Sequence, residues 1–109
     1  MNEIQEYRKV SAEALEMITI DVPDKLPLMA RQKNETTLYE WCPDTNLDQM
    51  GMIIKHLQKN GVMIALFYEE GCECWVRMVE EEIDTRFESF CTDMPIAFMK
   101  AFMEYIKKS

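Results

Sequence analysis

Glycine and proline are scarce in this chain: three and four among 109 residues. That excludes low-complexity linkers, collagen-like repeats and glycine-rich phosphate loops. There is one histidine, His56. Neither G-x-S-x-G nor H-E-x-x-H occurs, so the common nucleophile elbow and zinc-protease helix are missing. The longest apolar run, Val62 to Tyr68, is seven residues, far short of the ~20 that a membrane helix needs. The first residues, Met1-Asn2-Glu3-Ile4-Gln5-Glu6, lack the basic and then apolar pattern of a secretion signal. The four cysteines, at 42, 72, 74 and 91, are therefore expected as reduced thiols in a cytoplasmic protein.

Positive charge is also in short supply. Twelve Lys and Arg face twenty Asp and Glu, for a net charge of −8. Residues 69–93 hold nine acids and only Arg77 and Arg86 as bases, so one segment carries seven of the eight net negative charges. An acidic balance argues against nucleic acid and against an anionic membrane surface as partners, because both require a basic patch. Another protein is the expected partner.

The hydrophobic fraction, 48%, is that of a folded chain, and 109 residues suit a single domain. It divides into an N-terminal helix over 1–20, a loop over 21–37, and a helix, meander and closing helix over 38–109. Ile4, Tyr7, Ser11, Ala14, Leu15 and Ile18 recur every three or four residues and predict an amphipathic helix from Asn2 to about Thr19. Pro23 ends it. Residues 24–35 have no clear period and read as loop. Thr36 to Trp41 suits an edge strand.

Asn46 with Gln49 has capping-box spacing. Leu47, Met50, Ile54 and Leu57 then predict a second helix, closed by Asn60-Gly61. Val62–Tyr68 is apolar on both faces and reads as a central strand covered on each side. Glu69-Glu70-Gly71 forms a hairpin tip, Glu73–Val79 returns, and an acidic loop, Glu80–Asp84, leads to a strand over Arg86–Cys91. Thr92 or Asp93 caps the last helix, with Pro95 in its first turn. Ile96, Met99, Met103 and Ile106, beside Phe98, Phe102 and Tyr105, give it a wide apolar face. The expected fold is α/β in the α+β sense, a three-layer helix–sheet–helix sandwich around a mainly antiparallel sheet of three to four strands, in the order α-(β)-α-β-β-β-α.

Three short pieces occur together: Trp41-Cys42-Pro43-Asp44-Thr45, Trp75-Val76, and Thr92-Asp93-Met94-Pro95-Ile96-Ala97 with Ala101 four residues on. Their order resembles the phage ABA sandwich domain family, small phage and prophage proteins of Firmicutes, over roughly Leu38 to Ile106. The Trp41-Cys42 pair, and Phe98 where a small residue is usual, depart from the pattern. The resemblance implies a helix–sheet–helix sandwich and a phage or prophage origin. It assigns no catalytic residue.

Among possible chemistries, Cys72-Glu73-Cys74 is the closest thiol pair. On a strand its side chains share a face, roughly 7 Å apart. Structural zinc prefers two to four residues between ligands, so small fillers and exposed thiols are the plainer reading. A Cys–His nucleophile pair would require His56 to meet Cys42 or Cys91. These patterns assign no catalytic, cofactor-binding or metal residue. The leading expectation is a non-enzymatic interaction or accessory protein. A small ligand- or metal-binding module using Cys72, Cys74 and nearby acids is an alternative, as is an enzyme whose site is hidden by sequence spacing. Trp41, the Met-rich helices and the acidic rim of the meander are where a docking surface is expected.

Overall fold

In the computed structural model, the residues described are 3–20, 28–68, 74–89 and 93–108. The elements run α1 (Glu3–Ala14), β1 (Ile18–Ile20), β2 (Met29–Arg31), β3 (Tyr39–Glu40), α2 (Leu47–Lys59), β4 (Met63–Tyr68), β5 (Cys74–Glu80), β6 (Ile83–Ser89) and α3 (Met94–Lys108). The architecture is mixed α+β: three helices and two antiparallel three-stranded sheets share one core, an α/β sandwich in the broad sense.

The first helix ends earlier than its periodicity suggests. Met17 N–H donates to the Ala12 carbonyl and Glu16 N–H to that of Glu13, with Glu16 left-handed at φ 55°. This is the Schellman termination, built here without glycine. The β-branched Ile18-Thr19-Ile20 then leaves the helix and pairs with Arg31-Ala30-Met29 as β1 and β2. The loop expected over 24–35 therefore contains a strand. The edge strand expected over 36–41 contracts to the two residues of β3, paired to β2. The stop expected at Asp21-Val22-Pro23 lies outside the described residues.

The second helix forms as its caps dictate. Asn46 accepts from the Gln49 N–H at 3.1 Å. At the other end Gly61, at φ 88°, takes the left-handed position while Val62 N–H reaches back to the Leu57 carbonyl. The buried stripe is shifted from expectation. Met50, Ile53 and Leu57 point inward, Ile54 is half-buried, and Leu47 is 63% exposed.

The meander is antiparallel as its short connections require, but β5, not β4, is its central strand. The turn between β5 and β6 is only Glu81-Glu82, so β6 begins at Ile83, three residues before the expected Arg86, and Asp84 belongs to the strand. The tip expected at Glu69-Glu70-Gly71 is outside the described residues. The closing helix α3 lies across β5 and β6. It buries Phe98, Met99, Phe102, Met103 and Tyr105, with Ile96 and Ile106 half-buried at the margin. Tyr7 of α1 meets Phe102 edge-on at 5.7 Å, and Lys100 pairs with Glu3.

The cover expected on both faces of Val62–Tyr68 is not present. Met63 is 73% and Phe67 41% exposed, and no described element lies over them. Apolarity on both sides of a strand records what the strand could bury, not what this chain supplies to bury it.

Candidate interaction surface

The pleat of the meander sorts its residues into two faces. Cys74, Val76, Met78 and Thr85 turn toward α3 and are buried. The other face is open. In register across it stand Met63 with Val79, Ala65 with Arg77, and Phe67 with Trp75. Arg77 faces Arg86 in turn, and Val79 faces Asp84.

Two like charges directly opposite would repel, and the diagonals resolve this. Arg77 turns to Asp84, donating from Nε at 3.0 Å and Nη2 at 2.6 Å. That contact holds the Asp84 carboxyl below the usual carboxylate range. Arg86 lies over the Trp75 ring at 4.8 Å. The opposite neighbour of Trp75 is Phe67, stacked with ring centres 5.3 Å apart. The result is an exposed row of Phe67, Trp75 and Arg86, flanked by Met63, Ala65 and Val79. Sequence patterning identified the apolar residues; only the register brings the ring pair and its arginine together.

A depression of about 110 Å³ on the edge of this face is lined by Met63, Ile64, Ala65, Arg77 and Val79. Pockets for organic ligands run to roughly 300–1,000 Å³, so this one is a dimple in a surface. The acidic rim is present at one end, where Glu81 and Glu82 are exposed in the turn. Glu69, Glu70 and Glu73, at the other end, lie outside the described residues.

Trp41, expected near an exposed patch, is fully buried. It belongs to a polar lock between α1 and the turn that enters α2. Its indole N–H donates to Ser11 Oγ at 3.0 Å, and Arg8 grips Asp44 with two bonds of 2.7 and 3.1 Å. Gln49 completes the lock. It accepts from the Cys42 N–H at 2.7 Å and donates to the Glu40 carbonyl at 2.8 Å. Gln49 therefore orders the chain before the helix instead of closing the reciprocal capping box. The Trp41-Cys42-Pro43-Asp44-Thr45 motif is structural in this chain. The Tyr7 hydroxyl nearby is buried with no hydrogen-bond partner among the described residues. Burial, and secondarily the Asp44 charge, push its ionisation upward, so it stays a neutral phenol.

Among the described methionines, Met17, Met50, Met78, Met99 and Met103 are buried, Met29, Met52 and Met94 are half-buried, and Met63 is exposed. Cys74 is buried under α3, which suits a small apolar filler. Cys72 and Cys91 lie outside the described residues. Among those described, no three His, Cys, Asp or Glu side chains gather as metal ligands would. Cys42 precedes the N-terminus of α2 while His56 sits ten residues beyond its cap Asn46, roughly 15 Å along the axis. That separation takes the pair out of proton-transfer reach. No helix described is long and apolar enough to cross a membrane.

No family model, curated protein or solved structure matches the chain.

Proposed function

We propose that this chain is a non-enzymatic interaction module, of the accessory kind that a phage or prophage origin implies, which docks another protein through the open face of the meander. The observation that carries the reading is the exposed apolar and aromatic row. Met63 stands largely in solvent and Phe67 is 41% exposed, beside a half-buried Trp75 ordered between Phe67 and Arg86. Pre-ordered Trp and Arg side chains are what protein interfaces concentrate at their energetic centres, because little rotamer entropy remains to be lost on binding. Stacked aromatics on a sheet also suit single-stranded bases, but such sites sit in a basic groove, and this chain carries a net −8. The exposed Glu81-Glu82 turn would steer a basic partner toward the rim and raise the association rate more than the affinity.

The test is an affinity capture from cell lysate with three baits: wild type, Phe67→Ser with Trp75→Ser, and Glu81→Lys with Glu82→Lys. Proteins held by the wild type should be lost from the open-face variant and retained, more weakly, by the turn variant. Identical captured sets for wild type and the open-face variant would sink the proposal.

A further inference from the structure

The two edges of the meander are built differently. β6 carries Asp84, Arg86 and Glu88 along its seven residues, the kind of charge that keeps an edge from pairing with a foreign strand. β4 is the opposite case. Met63-Ile64-Ala65-Leu66-Phe67-Tyr68 has no charge, no proline and no glycine. β5 pairs along one side of it, and no described strand pairs along the other. Alternate backbone N–H and C=O groups on that side therefore point away from the sheet. Leu66 is 44% exposed although it lies on the face opposite Met63 and Phe67. Toward its C-terminal end the edge is therefore open on both faces among the described residues, while Ile64 packs against the core and α2 meets the strand. A strand of this composition, with this edge free, is a template for another strand.

We propose that β4 pairs antiparallel with β4 of a second copy of this chain, joining two meanders into one six-stranded sheet. The proposal extends the interaction-surface reading and rests on it only in treating the meander as a contact region. The uncharged composition of the strand selects the occupant. A strand without charge, left in contact with a charged segment, would strip water from charges it cannot pair. The longest apolar run in this chain, 62–68, is the β4 segment itself. Antiparallel self-pairing about a two-fold axis is isologous and closes on itself.

Keeping each residue on its own face restricts the register. With Ala65 on the axis, Met63 lies opposite Phe67 of the second copy, and Ile64 opposite Leu66. That register covers Met63, Leu66 and Phe67, three of the large exposed apolar side chains, with a methionine–ring contact on the open side. The open faces of the two copies become continuous. The net −8 on each copy opposes the approach at long range, so added salt should strengthen the pairing.

The test is sedimentation velocity on the purified chain over a range of concentration and salt. A reversible dimer is expected, tighter at high salt. Ala65→Lys sets two ammonium groups opposite one another at the axis and should weaken association roughly tenfold or more. Ala65→Val, equally exposed and uncharged, should keep the dimer. Circular dichroism checks that the Lys variant is folded. Oxidised Ala65→Cys should yield a bridge between the two introduced thiols, since residues directly opposite lie within disulfide reach. A wild type that is monomeric throughout, or a dimer untouched by Ala65→Lys, overturns the proposal. The two readings separate because Trp75→Ser, one strand inside the edge, should abolish lysate capture while leaving the dimer intact. A monomeric wild type that still captures through Trp75 would end the self-pairing and leave the open-face reading standing.

Discussion

The two faces of one sheet behave as different materials. On the α3 side, Cys74, Val76 and Met78 have no solvent exposure. One residue along in β5, on the open side, Arg77 is exposed and Trp75 and Val79 are half-buried, and beside them Met63, Ala65 and Phe67 of the edge strand β4 stand in solvent. The strands are the same, and β4 is equally apolar on both faces. The difference lies in what the rest of the chain places over each. α3 lies over one side with Phe98, Phe102 and Tyr105 buried, and on the other side no described element covers the Arg77–Asp84 pair and the Arg86–Trp75 stack. A methionine is thus buried or exposed to solvent according to its face, and substitutions should separate the two.

The sharpest break of this comparison is Met78→Ala against Met63→Ala. Emptying the fully buried Met78 site should cost about 2–5 kcal/mol in urea unfolding, whereas truncating exposed Met63 should stay within about 0.5 kcal/mol. Equal losses would mean the open face is covered after all. A smaller effect of the opposite sign is expected at Thr85, buried on the α3 side with a hydroxyl that lacks a hydrogen-bond partner among the described residues. Thr85→Val removes the stranded hydroxyl at nearly constant shape and should stabilise the fold by about 1 kcal/mol. A destabilised variant would reveal a bond to that hydroxyl.

The smallest effect at neutral pH, and one confined to alkali, concerns Tyr105, whose hydroxyl bonds Glu80 at the margin of the buried face. Burial first, then the Glu80 carboxylate, raise its ionisation from 10.0 to about 12. The folded state therefore favours the neutral phenol more than the unfolded chain does. This contribution is fully present below pH 10 and is lost as the pH rises toward about 12. Unfolding series at neutral and alkaline pH should show wild-type stability falling across that window more steeply than Tyr105→Phe. Parallel curves for the two proteins would remove Tyr105 from the account.

Legibility differed along the chain for physical reasons. The second helix, the antiparallel meander and α3 rest on local signals: the Asn46 cap, Gly61 in the left-handed position, connections too short to cross over, and Pro95 in a first turn. Those signals act within a few residues and survive into the fold. The first helix is shorter than its periodicity predicts, because the Schellman turn at Glu16 has no glycine to mark it. The strand at Met29–Arg31 was hidden because three residues carry no period, and it exists only through pairing with β1 and β3. Trp41 looked like a candidate for exposure until Ser11, thirty residues earlier, supplied a partner for its indole.

The sequence by itself determined an uncharged apolar run over 62–68, a charge-rich segment from Glu80 to Glu88, and the local caps of α2 and α3. Tertiary structure alone decided that the closing helix covers β5 and β6 on one side of the sheet, that no described strand pairs along the outer edge of β4, and that Phe67, Trp75 and Arg86 form one row. Local propensity fixes where side chains point along a strand. Cover, register and stacking are settled by segments that are distant in the chain and meet only when it folds.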